Sequence, residues 1–243
     1  MIKAVVFDFG QTLVDSSEGF RLAEKEVQQK AFTALGLPDF GEFREIYRAV
    51  RNNFHAQSRF SRKAIFAELF RHYDQQADVA LLTSWETEYW ERVNAMTQIF
   101  PEAQKVLQKL QEQSFRLAMI TNAQGQEIEG QHRLANYPEL KHFFKTVVVA
   151  GEGGIPAKPD PAPFLLCLDA LGLASNEALY VGDDWRIDVE GARAVGMQPV
   201  WLKHRLTQRN WPVVETANIP VIDTLEALLD ERISFVCDTP MKS

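Results

Sequence analysis

Six short apolar runs punctuate this chain, and their placement restricts its fold more than any other feature. The first is Ile2–Phe7, broken only by Lys3. The next, Leu117–Ile120, comes about 110 residues later. Thr146–Ala150, Ala178–Gly182, Gln198–Leu202 and Ile219–Ile222 then follow, separated by segments with helical spacing of apolar residues. Runs this short, mostly apolar and bounded by polar or glycine residues, read as buried strands. Strand and helix in alternation predict a parallel sheet covered by helices on both faces.

The gap after the first run has a different character. Asp15-Ser16-Ser17 supplies N-cap chemistry, and four helical patterns follow. They run through Phe20 and Val27, through Phe43 and Tyr47, through Ile65 and Leu69, and through Leu82 and Val93. No strand signal lies between residues 16 and 97. The expected fold is α/β: a doubly wound, Rossmann-like parallel sheet built from residues 1–15 and 98–243, with an all-helical domain at 16–97 inserted after the first strand. A helix is expected between Asn122 and Thr146, another over Gly191–Val195, and a last one through Leu225, Leu228 and Leu229. The stretch His204–Ala217 has no regular pattern.

The 243 residues carry a net charge of −7, which disfavours nucleic acid as a partner because its binders present basic faces. No run approaches the roughly 18 apolar residues a bilayer requires, and the short apolar start, containing Asp8, is not a signal peptide. Two cysteines, Cys167 and Cys237, form no disulfide framework; Cys167 sits in an apolar helical run and reads as a buried thiol. These features predict a cytoplasmic protein without nucleic-acid or membrane partners. Its oligomeric state is not encoded in any pattern here.

The strand ends carry the chemistry. The first run ends in Asp8, the second in Thr121-Asn122, and the fourth in Asp183-Asp184 with Asp188 just beyond. A Gly-rich loop, Gly151–Ala157, leads to Lys158. In an open parallel sheet these positions share one edge, the edge where such folds bind ligands. Carboxylates gathered there repel unless a cation intervenes, and the hard, oxygen-seeking choice is Mg²⁺. A metal, a lysine and a hydroxyl around one pocket suit a phosphoryl group, with an aspartate as nucleophile.

Taken in order, Asp8-Phe9-Gly10-Gln11-Thr12-Leu13, Ile120-Thr121-Asn122, Ala157-Lys158-Pro159-Asp160-Pro161 and Gly182–Asp188 with Gly191-Ala192 resemble the haloacid dehalogenase-like hydrolase superfamily. The resemblance covers residues 1–15 and about 98–235. It implies that Asp8, Thr121 and Lys158 are catalytic, with Asp8 as nucleophile. Thr121, Asn122 and Lys158 would bind the transferring group. Asp8, the Gly10 carbonyl, Asp183 and Asp188 would serve the metal, Asp188 through its water shell. The helical insert resembles the family's cap domain. The implied activity is Mg²⁺-dependent phosphate hydrolysis of a small phosphorylated metabolite.

One position departs from the pattern. Phosphatases of the family usually carry a second Asp two residues after the nucleophile, to protonate the leaving group. Here it is Gly10. Acid help is typically worth 10²–10⁴-fold. Three outcomes are open: a phosphatase whose leaving group needs no proton or finds one elsewhere; a 2-haloacid dehalogenase or phosphonoacetaldehyde hydrolase-like enzyme; or a phosphate-ligand-binding protein without turnover. The acidic Asp183 and Asp188 weigh against a dehalogenase, and none of Lys25, Lys30 or Lys63 sits in a recognisable imine-forming sequence.

Secondary candidates have plainer alternatives. Asp184 reads as a helix N-cap beside the true ligand. Arg44, Arg48, Arg51, Arg59, Arg62 and Lys63 outnumber Glu42 and Glu45 and read first as a solvated face, second as a grip on an anionic substrate group. The aromatics of the insert read as its core, and the five histidines show no metal-ligand spacing.

Overall fold

The computed structural model describes residues 1–123, 133–203 and 219–230. In chain order its elements are β1 (Ala4–Phe7), β2 (Val14–Asp15), α1 (Ser17–Leu35), α2 (Phe40–Ala56), α3 (Arg62–His72), α4 (Val79–Met96), β3 (Gln98–Ile99), α5 (Ala103–Glu112), β4 (Arg116–Asn122), α6 (Pro138–Lys141), β5 (Thr146–Ala150), α7 (Pro161–Leu171), β6 (Ala178–Gly182), α8 (Glu190–Ala194), β7 (Gln198–Leu202) and β8 (Val221–Ile222).

Six strands form one sheet in the order β5-β4-β1-β6-β7-β8, and every neighbouring pair in it is parallel. The first strand is therefore central, and the order reverses at it. That reversal opens a crevice at the carboxyl ends of β1, β4 and β6. All four residues of β1 are buried, as a strand covered on both faces requires. Its side chains alternate between two cores. Val5 and Phe7 join Val106, Leu107 and Leu110 of α5 on one face. Ala4 and Val6 join Phe164, Cys167 and Leu168 of α7 on the other. The Cys167 thiol is buried there, as its apolar context predicts, and burial pushes it up to about 12. Cys237 lies outside the described residues.

The chain divides into two compact units. One comprises 1–15, 99–122 and the described residues from 133 on; the other spans 16–98. Unit two is the inserted all-helical body, with a core of Ala23, Val27, Phe43, Tyr47, Ile65, Phe66, Leu69 and Trp85 among others. Its helices start where the sequence supplies caps. Asp39 accepts from the backbone N–H of Gly41 and Glu42, Ser61 from Ala64, and Asp78 from Ala80. Gly36 ends α1 in the left-handed conformation. Ser16 stands at the N-cap position of α1 without a side-chain cap bond and instead accepts from the Thr97 hydroxyl.

Several local expectations shift. The first strand begins at Ala4 rather than Ile2, and β4 runs through Asn122, so Thr121 and Asn122 are strand residues. Of the interval between Asn122 and Thr146, where a helix is expected, residues 124–132 lie outside the described residues; the rest holds a 3₁₀ turn, Arg133–Asn136, and the one-turn α6. The segment before α8 is a π turn, Trp185–Val189, and Leu225–Leu229 is 3₁₀. The paired β2 and β3, two residues each, are too short to leave a periodic trace in sequence. His132 and the unpatterned 204–217 stretch, His204 included, fall outside the described residues. No described helix is long and apolar enough to cross a membrane.

Candidate active site

Lys158 is the hub of the site. Its side chain is fully buried, yet its ammonium lies 2.8 Å from Asp8 Oδ1, 2.7 Å from Asp188 Oδ1, 3.0 Å from the Ile120 carbonyl and 2.8 Å from the Tyr180 hydroxyl. An ammonium has three protons for these four oxygens. The Tyr180 hydroxyl closes the count, since its own proton reaches Ile120 O at 3.1 Å or Asp188 Oδ1 at 3.2 Å. Burial alone would pull the Lys158 ammonium down, but the Asp188 and Asp8 carboxylates more than offset that, and it stays well above the usual lysine range.

Each partner is positioned by its own strand. Asp8 directly follows β1, and its backbone N–H donates to the Val181 carbonyl at 2.9 Å. Its Oδ2 accepts from the Thr12 hydroxyl at 3.3 Å. Lys158 is delivered by a loop that Asn122 clamps. The Asn122 amide oxygen accepts from the Lys158 N–H at 2.8 Å, and its amide nitrogen donates to the Lys158 carbonyl at 3.3 Å. The residue expected to touch substrate thus engages the backbone of the lysine. Thr121, buried at the end of β4, stands one residue past the carbonyl that Lys158 grips.

Asp183 and Asp188 come from the turn after β6. Asp188 Oδ2 accepts from the Asp184 N–H at 3.0 Å. Asp184 accepts through Oδ1 from Arg186 and Ile187, which is the N-cap role that its sequence predicts. This fold-back needs Gly182, because a Cβ there would collide with the Asp188 carboxyl group. Trp201 donates its indole N–H to the Asp183 carbonyl at 3.0 Å and packs on Trp185.

The electrostatics are unbalanced. Asp8, Asp183 and Asp188 are all buried and each offers an oxygen within 4.8 Å of the others. Among the described residues one ammonium faces three carboxylates, and it cannot neutralise them all when they are ionised. Asp8 registers the crowding: burial raises its carboxyl from 3.8 to about 6, Lys158 pulls it down and Asp188 pushes it up. An all-oxygen donor set with net negative charge fits a hard divalent cation.

The structure brings Asp8, Lys158, Asp183 and Asp188 together, with Thr121 and Asn122 at the neighbouring strand end. Gly10 follows Asp8 in the same loop, pairing with Val14, and a Cβ built on it would meet nothing within 4 Å. Tyr180, Thr12 and Trp201 complete the site and escape sequence reasoning. Tyr180 and Trp201 sit inside apolar runs and read as core; no local signal marks their polar atoms as partners of the site. Of the cationic group in the insert, Arg62 is not solvated at all. It is buried, 2.7 Å from Glu24 Oε1 and 2.8 Å from the Tyr89 hydroxyl.

Comparison with known proteins identifies the family and the fold. The family model for haloacid dehalogenase-like hydrolases matches residues 2–196. A glyceraldehyde 3-phosphate phosphatase of Pyrococcus abyssi is 31% identical over 209 residues, covering 84% of this chain and 82% of that protein. Among solved structures, a HAD phosphatase from Thermococcus onnurineus superposes with a TM-score of 0.67 at 23% identity, over 96% of this chain and 98% of its own. A 2-haloacid dehalogenase from Pseudomonas syringae superposes with a TM-score of 0.63 at 25% identity, over 97% and 100%. With a family match over most of its length, a switch-point site and an inserted helical unit, this chain belongs to the haloacid dehalogenase-like hydrolases.

Proposed function

We propose that the protein is a Mg²⁺-dependent phosphatase that hydrolyses a small phosphorylated metabolite through an aspartyl-phosphate on Asp8. The observation that carries this is the charge imbalance around Lys158: buried carboxylates at the switch point, one ammonium among them in the described residues, and oxygen ligands close enough to share a cation. The phosphatase name of the Pyrococcus relative supports the same reaction class.

In this reading Lys158 holds Asp8 Oδ1 and fixes the carboxylate's orientation, leaving Oδ2, with its longer contact to Thr12, turned to the substrate. An Asp8 oxygen forms a bond to phosphorus as the bond to the leaving oxygen breaks. Water then cleaves the acyl phosphate, releasing inorganic phosphate and restoring the carboxylate. The Lys158 ammonium and the Thr121 hydroxyl meet charge on the phosphoryl oxygens. Asn122 acts by locking the lysine's backbone in place. Asp8, the Gly10 carbonyl and Asp183 would hold Mg²⁺, with Asp188 supporting its water shell; once bound, it would neutralise the crowded carboxylates and polarise the phosphoryl group. The inserted helical unit serves as the cap that selects substrate.

With glycine at position 10, no side chain there protonates the leaving oxygen. Good substrates are then those whose leaving groups depart as stable anions, such as acyl and aryl phosphates. The open space around Gly10 makes a direct test available. Gly10→Asp should raise kcat/KM on an alkyl phosphate about 10²-fold or more while changing acetyl phosphate turnover little. Equal rates on both would show that the acid comes from elsewhere.

The missing acid also favours a second reading, halide displacement by Asp8, since halide leaves unprotonated. A screen with and without Mg²⁺ separates the two. Phosphate release from acetyl or p-nitrophenyl phosphate, Mg²⁺-dependent and lost in Asp8→Asn, supports the phosphatase. Metal-independent chloride release from 2-chloropropionate supports the alternative.

A further inference from the structure

The helical unit contains a polar cavity of about 210 Å³ lined by Gln28, Arg44, Tyr47, Arg48 and Arg51. Its three arginines stand at i, i+4 and i+7 on α2, one stripe of a single helix. Like charges at that spacing destabilise a helix. No acidic residue lines the cavity, and among the described residues neither Arg44 nor Arg48 has a carboxylate within salt-bridge distance; of the three, Arg51 alone reaches one, at long range. That carboxylate, Glu24, lies 3.9 Å from Arg51 and has closer donors. Arg62 reaches it at 2.7 Å, the Tyr47 hydroxyl at 2.6 Å and the Tyr89 hydroxyl at 3.1 Å. The Arg51 guanidinium is itself loosely held, its Nη2 donating to Asn52 Oδ1 at 3.3 Å, so its fork is not committed to a carboxylate at close range.

We propose that this cavity is a binding site for a small multivalent anion, bearing phosphate or carboxylate groups, held by the guanidinium forks of Arg44, Arg48 and Arg51 with the Gln28 amide as a neutral donor. Guanidinium pairs match such oxyanions two bonds at a time, and shape the preference toward planar or tetrahedral oxygens over chloride. The site does not depend on the chemistry assigned to Asp8. The anion is either free in solution or the remote charged group of the enzyme's own substrate, and both share this recognition.

Calorimetric titration of the full-length protein with inorganic pyrophosphate, in buffer containing a chelator, isolates the site. Without a divalent cation the Asp8 centre is negative and repels the probe, so binding reports on the arginines. Wild type should saturate, with affinity falling as salt rises. Arg44→Gln/Arg48→Gln, both at exposed positions, should weaken binding by about tenfold or more for each guanidinium lost. Arg51→Lys should weaken it as well, since it keeps the charge and loses the fork. Arg92→Gln, an exposed arginine elsewhere in the unit, should leave it unchanged. The two sources separate by kinetics. If the substrate carries the anion, Arg44→Gln/Arg48→Gln raises KM for a carboxylate-bearing phosphate monoester more than for an aryl phosphate; if the anion is free, that ratio holds while pyrophosphate affinity drops. An unsaturable wild-type titration, or equal affinity in wild type and Arg44→Gln/Arg48→Gln with the fold intact by circular dichroism, would overturn the proposal.

Discussion

Two buried ion clusters, one in each unit, are built from the same parts. In the α/β unit, Lys158 meets Asp8, Asp188 and the Tyr180 hydroxyl. In the helical unit, Arg62 meets Glu24 and the Tyr89 hydroxyl, with Tyr47 donating to the same glutamate. Both cations are almost fully buried. What differs is the balance. Glu24 faces two guanidiniums, Arg62 at 2.7 Å and Arg51 at 3.9 Å, and although burial pushes its carboxyl up, the arginines and the tyrosines bring it below the ordinary glutamate value. Asp8 shares its lysine with Asp188, has Asp183 close by, and is raised. Burial does not distinguish a functional centre from a structural one here; the balance of charge does. The helical cluster has cationic charge to match its carboxylate, while the sheet-edge cluster, among the described residues, keeps negative charge for a cation or an electrophile to meet.

Removing each cation should expose that difference most strongly. Lys158→Met and Arg62→Met each leave buried carboxylate without its partner, and each should lose about 3–5 kcal/mol in chemical denaturation without metal. Millimolar Mg²⁺ should restore part of the loss in Lys158→Met and none in Arg62→Met. Equal rescue, or none in either, would erase the contrast.

A smaller effect follows from Asp8 itself. Its carboxyl is raised, so the folded state favours the protonated form. That contribution is present below pH about 4 and is lost as pH rises through about 6. Asp8→Asn removes the penalty of holding the ionised group. Metal-free, the variant should be more stable than wild type at pH 7 by roughly 3 kcal/mol, the free energy that corresponds to moving a carboxyl from 3.8 to about 6. The gap should close below pH about 4, where both forms are uncharged. Mg²⁺ should narrow it at pH 7. A variant less stable than wild type at every pH would show that Asp8 is a structural ion-pair partner like Glu24.

The gentlest probe is Tyr180→Phe. It removes one of the oxygens around the Lys158 ammonium and should lower stability by about 0.5–1.5 kcal/mol. Because the hydroxyl also orders the lysine, kcat should fall more than KM changes. Tyr89→Phe, its counterpart beside Arg62, should shift stability similarly without that kinetic signature.

Much of the sheet-edge cluster is legible in the sequence for a topological reason. Parallel strands gather their carboxyl ends on one edge, so Asp8, Thr121, Lys158, Asp183 and Asp188 converge once strand and helix are known to alternate. Tyr180 and Trp201 are not legible, since each lies in an apolar run and the bond that matters is made by one atom of a mostly hydrophobic side chain. The place of Asn122 along the chain can be read, but its hold on the Lys158 backbone depends on loop conformation that spacing does not carry. Arg62 shows the same limit. Composition groups it with Arg44 and Arg48 as one solvated face, yet its partner Glu24 lies 38 residues earlier on another helix. Periodicity says which face is buried, not which charge waits there.

The most direct test is to quench a steady-state reaction of the Mg²⁺-loaded enzyme and acetyl phosphate with acid, then map any phosphoryl group by peptide mass spectrometry. One acid-stable, hydroxylamine-labile phosphoryl group on Asp8, absent from Asp8→Asn, is the predicted result. Sustained phosphate release by Asp8→Asn at the wild-type rate, or a phosphoryl group on any other residue, would contradict the account.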